Sequence, residues 1–184
     1  MQGKISKSSS AEAIDWPAAI HRALKAQRVR QVSYVPDAGH KRLIDLCHAD
    51  KGMTAVPLTT EEEGIGLAAG AWLGGERSAL LMQSSGVGNC INALSLASNC
   101  GFPLLMLVTM RGETGERNPW QVPMGRATPE ALRLAGVRTL RLERAEEASA
   151  VTNTAARAAF EEQSAVALLI SQQLIGVKSF EEKR

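Results

Sequence analysis

Aromatic residues are scarce in this sequence: Phe, Trp and Tyr together make up 4% of 184 residues, with a single Tyr. The core must therefore be built from Leu, Val, Ile, Ala and Met. Cysteine is sparse as well. Cys47, Cys90 and Cys100 are odd in number and form no C-x-x-C pair, which argues against a disulfide framework and fits reduced thiols in a cytosol. Cys90 and Cys100 fall in an apolar helical pattern and are expected in the core. No apolar run approaches the length of a transmembrane helix, and the N-terminus lacks the apolar centre of a signal peptide, so a cytoplasmic location is expected. Excess charge of either sign is also missing. A net charge of +2 leaves no polybasic surface for nucleic acid or membrane. No His, Cys or acidic cluster has metal-ligand spacing, so no metal site is expected.

Hydrophobic residues at 45% and charged residues at 22% describe an ordinary globular chain, long enough for one domain with a substantial core. Residues 1–11, with Lys4-Ile-Ser-Lys-Ser-Ser-Ser10, read as a flexible tail, and 12–184 as a single domain. Asp15-Trp16-Pro17 supplies an N-cap and an early proline for a helix to about Gln27. Apolar runs then alternate with helical periodicity. Strands are expected at 30–35, 54–58, 78–82, 103–109, 137–142 and 165–171, with helices between them at 40–49, 60–73, 86–100, 129–134 and 144–162. The pattern predicts an α/β fold, a three-layer α/β/α sandwich around a mainly parallel sheet of roughly six strands. From Met110 to Arg126 periodicity is lost, and a loop of that length inside a compact domain is more often functional than idle.

The stretch from Thr59 to Gly70 follows the second expected strand and opens a helix. Thr60 stands as N-cap, Glu63 has capping-box spacing, and three acids suit the positive end of the helix dipole. Glu61 shares a stripe with Ile65, Ala68, Ala69 and Trp72. Its carboxylate is thus expected over apolar residues, just beyond a strand end, where open α/β sheets keep ligands. Periodicity alone favours a cap. Ser85-Gly86-Val87-Gly88-Asn89 joins a strand to a helix. Position 91 is Ile91 rather than Gly and no Lys-Ser/Thr is present, so this is neither a dinucleotide fingerprint nor a Walker A loop. Asp37, in the turn Pro36-Asp37-Ala38-Gly39, could simply cap the next helix. His21 and His48 read as structural.

Four stretches carry a resemblance to a known family: Glu-x-x-Gly-Ile-Gly-x-Ala-Ala-Gly from Glu61 to Gly70, Tyr34-Val-Pro-Asp37, Met82-Gln-Ser-Ser-Gly-Val-Gly-Asn89, and Arg111-Gly-Glu-x-Gly-Glu116 continuing to Gln121-Val-Pro-Met-Gly-Arg-Ala-Thr128. Together they resemble the pyrimidine-binding (PYR) domain of thiamine-diphosphate-dependent decarboxylases. The likeness is greatest to the sulfopyruvate decarboxylase α subunit and nearly as great to phosphonopyruvate decarboxylase. It covers Ser33 to Thr128. It implies that Glu61 contacts the aminopyrimidine ring of the cofactor, that Pro36, Gly86 and Asn89 border it, and that Asp37 reaches the reaction centre for proton transfer. Those enzymes usually have Ser after the Asp, where this chain has Ala38-Gly39-His40. His40 thereby becomes an acid–base candidate, a partly exposed His at a helix start being the plainer alternative. The implied substrates carry a carboxylate and a sulfonate or phosphonate. Arg111, directly after a strand end, together with Gln121 and Arg126, is a candidate to bind them, since Arg holds such anions through paired hydrogen bonds. Otherwise a loop with three Arg is solvated surface.

Enzymes of this kind hold the diphosphate through Mg²⁺ on a second module with a Gly-Asp-Gly…Asn pattern. No Gly-Asp-Gly occurs in this sequence. The resemblance therefore implies a separate β subunit carrying Mg²⁺ and the diphosphate, in an α₂β₂ or larger assembly whose active site lies at the interface. The implied reaction is decarboxylation of a small 2-oxo acid, first of all sulfopyruvate to sulfoacetaldehyde and CO₂, with thiamine diphosphate as electron sink. A non-catalytic scaffold or regulatory subunit of the same fold is the alternative from another class.

Overall fold

Asp15 caps the first helix, α1 (Trp16–Ala26): its carboxylate accepts a hydrogen bond from Ala18 N at 3.1 Å, and Pro17 occupies the first turn, where no donor is needed. The computed structural model describes residues 14–176, so the tail expected at 1–11 lies outside the described residues. Beyond α1 the elements alternate. They are β1 (Val29–Tyr34), α2 (Lys41–Ala49), β2 (Thr54–Pro57), α3 (Glu61–Leu73), β3 (Arg77–Gln83), α4 (Ser84–Cys90), α5 (Ser95–Cys100) and β4 (Leu104–Thr109). After a long loop come α6 (Val122–Leu134), β5 (Arg138–Leu142), α7 (Ala148–Glu161), β6 (Ala165–Ile170) and α8 (Gln172–Ile175).

All paired strands are parallel, in the order β2-β1-β3-β4-β6-β5. The chain moves outward from β1 to β2, then returns past β1 to β3. This reversal makes a switch point at the carboxyl end of β1, the kind of crevice where open α/β sheets bind ligands. Successive residues of β3 and β4 face opposite layers, as strand pleating requires. Leu81, Leu105 and Leu107 meet the layer of α1, α2 and α7, with Leu24, Leu43 and Ala155. Leu80, Met82 and Met106 meet Ile65, Val87 and Leu132 of α3, α4 and α6. Each large aliphatic side chain so buried contributes about 1.5–3 kcal/mol at most. The three-layer sandwich with a six-stranded sheet is thus as expected.

Two helices differ from the expectation. The one expected at 86–100 is split into α4 and α5, because Asn92 O accepts from both Ser95 N (3.3 Å) and Ser95 Oγ (2.8 Å), drawing the backbone out of the helical pattern. Cys90 is buried, but Cys100 is exposed at the end of α5, not in the core. The helix expected at 129–134 starts at Val122 and runs through Pro129, so the irregular loop ends earlier than Arg126. Among the described residues no helix is long and apolar enough to cross a membrane.

Candidate active site

From Pro57 the chain runs through Thr60, in extended conformation (φ −142°, ψ 154°), into α3. Glu61, the first helical residue, turns inward and is 7% exposed. From α4, Asn89 Nδ2 donates to Glu61 Oε2 at 2.8 Å. Gly86, also on α4, lies against the same carboxylate, and a Cβ there would collide with Glu61 Cδ and Oε1. No donor among the described residues reaches Oε1. The expected stripe holds for Ile65 and Ala68, which are buried, while Ala69 and Trp72 are partly covered. Capping differs. Thr60 makes no side-chain cap, and Glu63 Oε2 accepts from Thr59 N at 2.9 Å, one residue before the box position.

Asp37 stands at the switch point. Its Oδ2 accepts from Gly39 N (3.0 Å) and Thr109 Oγ1 (2.8 Å), and its Oδ1 accepts from Gln83 Nε2 (3.0 Å). The last residues of β3 and β4 therefore hold the carboxylate, and it caps no helix; the turn it closes is its own. Gln83 Oε1 accepts in turn from Ser85 Oγ at 2.9 Å, and the segment Gln83-Ser84-Ser85-Gly86 connects this cluster to Glu61. Pro36 is exposed beside Asp37. Gln83 and Thr109 escaped the sequence reading. Each is a polar residue closing an apolar strand run, and that signal could have found them.

His40 differs from its expected positions. It is fully buried, with Nε2 placed 3.2 Å from Met82 O and 3.1 Å from Leu107 O, which calls for the tautomer with a proton on Nε2. Burial lowers its pKa and keeps the ring neutral. A ring sealed between β3 and β4 is neither a partly exposed helix start nor an open acid–base group. His48, in contrast, pairs with Tyr34 Oη at 2.7 Å, a partner that the sequence did not point to, and His21 lies 3.1 Å from Asp50.

Arg111 is not free to clamp an anion. Its Nε and Nη2 donate to Glu116 Oε2 (2.8 Å) and Oε1 (3.0 Å), and both residues are partly buried. The bond from Arg111, foremost among several causes, holds the Glu116 carboxyl well below the usual carboxylate range. Gln121 does line a cavity of about 660 Å³, with Ser85, Trp120, Pro123 and Met124, and its Oε1 has no partner among the described residues. Arg126 is exposed on α6.

Residues 15–139 match the family described as "Thiamine pyrophosphate enzyme, N-terminal TPP binding domain". The chain belongs to this family. It is similar to the sulfopyruvate decarboxylase subunit alpha of Methanocaldococcus jannaschii, 40% identical over 131 residues that span 71% of this chain and 78% of that one. The subunit of the same name in Methanococcus maripaludis is 42% identical over 115 residues, 62% of this chain and 69% of that one. A phosphonopyruvate decarboxylase of Streptomyces viridochromogenes is 37% identical over 108 residues, 58% of this chain but 27% of the other. In fold the chain is similar to a 2-oxoglutarate:ferredoxin oxidoreductase from Magnetococcus marinus, with a TM-score of 0.73 at 16% identity, covering 87% of this chain and 29% of that one.

As a member of the thiamine pyrophosphate enzymes, the chain has a donor set that fits the aminopyrimidine half of the cofactor. One oxygen of Glu61 is anchored by Asn89, and no donor among the described residues reaches the other. Gly86 removes the side chain that would fill the space beside it. Among the described residues, no group of three or more His, Cys, Asp or Glu is placed to hold a metal ion.

Proposed function

We propose that this chain is the α subunit of a thiamine-diphosphate-dependent 2-oxo acid decarboxylase that acts on sulfopyruvate, giving sulfoacetaldehyde and CO₂. The observation that carries the proposal is the Glu61 carboxylate, set by Asn89 against Gly86, in a chain 40% identical to a sulfopyruvate decarboxylase subunit alpha. Thiamine diphosphate, when bound, supplies the electron sink for loss of CO₂. Glu61 holds or gives a proton at the pyrimidine nitrogen through Oε1, and Asn89 keeps that oxygen aimed. Asp37, fixed by Gln83 and Thr109, moves a proton at the reacting carbon, with Pro36 beside it. Gln121 and Arg126 orient the acidic head group, and Trp120 and Met124 give that cavity its apolar lining. Arg111 drops out of this role because Glu116 engages it.

The names of the relatives, "subunit alpha", support a partner chain. To it we assign Mg²⁺ and the diphosphate, in an α₂β₂ or larger assembly. Phosphonopyruvate is a second substrate reading, favoured by the 37% identity to the Streptomyces enzyme. The test combines the chain with a β subunit, Mg²⁺ and cofactor, then measures CO₂ and aldehyde from sulfopyruvate, phosphonopyruvate and pyruvate. Sulfopyruvate should give the highest kcat/KM. A complex that binds the cofactor but decarboxylates none of the three rejects the proposal.

A further inference from the structure

Glu116 is the hub of the loop between β4 and α6. Its carboxylate accepts five hydrogen bonds: two from the Arg111 guanidinium, one each from Gly112 N (3.2 Å) and Asn118 N (2.9 Å), and one from Gln172 Nε2 (2.9 Å) on α8. The two backbone donors lie on opposite limbs of the loop, so one carboxylate draws both limbs together. The near limb is pressed on the far one. Gly112, at φ +74°, has room for no Cβ, which would lie 2.8 Å from Gln121 O, and a Cβ on Gly125 would collide with Arg111 O. Arg111 N also donates to Ser84 Oγ at 3.1 Å, tying the loop to the start of α4. The far limb supplies Trp120 and Gln121 to the cavity beside Ser85, and Met124 Sδ lies against Gly88 on the helix that carries Asn89.

We infer that Glu116 is a positioning residue: its latch on Arg111 and the two loop limbs sets the wall formed by Trp120 and Gln121 beside the Glu61 site, and thereby the fit of the 2-oxo acid. The substrate part rests on the decarboxylase reading. An ion pair drawn even partly out of water is a poor way to stabilise a loop compared with apolar packing, whereas its directed bonds fix geometry. The low pKa of Glu116 means that the latch stays ionised at working pH. Gln in its place offers one carbonyl oxygen and turns an N–H₂ group toward donors.

The test uses the full chain and trypsin, because Arg117 is exposed next to Glu116 and is followed by Asn118 rather than proline. Glu116→Gln should be cut after Arg117 about tenfold faster than wild type while its melting stays cooperative, since cleavage follows the open population. Gln172→Met, which removes the bond to Glu116 and the one that Gln172 Oε1 accepts from Glu113 N but leaves the Arg111 pair, should also speed cleavage. In the reconstituted decarboxylase, Glu116→Gln should raise KM for the 2-oxo acid about tenfold and change kcat less. Unchanged cleavage in both variants overturns the latch. Faster cleavage with unchanged KM, or with kcat alone reduced, overturns the positioning role. A wild-type assembly that turns over no 2-oxo acid refutes the decarboxylase reading instead, and the cleavage comparison still decides the latch.

Discussion

Asn89 and Glu61 lie 28 positions apart, on different helices, and a 2.8 Å hydrogen bond joins them. An amide orients the carboxylate without neutralising it, as an Arg or Lys in that place would. With Gly86 on the same helix, α4 is therefore the element that presents Glu61 as an anchored acid with one bare oxygen.

If that oxygen serves the pyrimidine, Glu61→Gln keeps the size and loses the acid. Hydrogen–deuterium exchange at the cofactor C2 in the reconstituted complex should slow by roughly 10²–10⁴, the usual effect of losing a general acid–base group. Glu62→Gln, at an exposed position, should leave the exchange unchanged. Wild-type exchange in Glu61→Gln would remove this residue from the chemistry.

Gly86→Ala places a methyl group on the Glu61 carboxylate. We expect urea denaturation to show a loss of about 1–3 kcal/mol, as for overpacking, together with weaker cofactor binding by calorimetry of the complex. Gly66→Ala is the contrast. It sits in the interior of α3 with nothing near its Cβ, so the same change should stabilise by about 0.5–1 kcal/mol.

Arg111→Ala removes two of the five hydrogen bonds to Glu116 and its only cationic partner among the described residues, so its main effect should be on stability rather than on KM. Removing one partner of a fully buried pair costs about 3–5 kcal/mol, and the three remaining donors should hold the loss below that, readable as a lower urea midpoint. A variant of wild-type stability with a raised KM would restore the anion-clamp role read from the sequence.

Burial lowers the pKa of folded His40, so below the unfolded value the unfolded chain binds the proton more readily. Its contribution is complete above about pH 6.5 and is lost as pH falls below that value, with a slope of at most about 1.4 kcal/mol per pH unit. His21, also lowered chiefly by burial, acts in the same direction. His40→Gln retains donors for the Met82 and Leu107 carbonyls and should reduce the stability lost between about pH 7.5 and about pH 5.5. Equal losses in variant and wild type would contradict this.

The strands, the parallel sheet and the place of Glu61 were legible because apolar runs, glycine punctuation and capping residues are local signals. Partners across the fold were not. Arg111 looked free because it follows a strand end, and nothing periodic marks Glu116 as its counterpart in the same loop. His40 stands one residue before a helix, a position usually open to water, yet Met82 and Leu107 converge on it from two strands. Strand order is equally silent in sequence: β5 lies outside β6, which no local pattern encodes.

The uniform strand direction has a practical side. Cys100 ends α5 just before β4 begins, and so lies at the opposite end of the sheet from Glu61 and Asp37. Cys47 and Cys90 are buried, with thiols pushed up to about 12 chiefly by desolvation, whereas Cys100 is exposed. A maleimide dye or surface linker thus has one ready address on the native protein. The molecule can be immobilised or labelled through Cys100 with its carboxyl edge left facing the solution, and no cysteine need be engineered in or out.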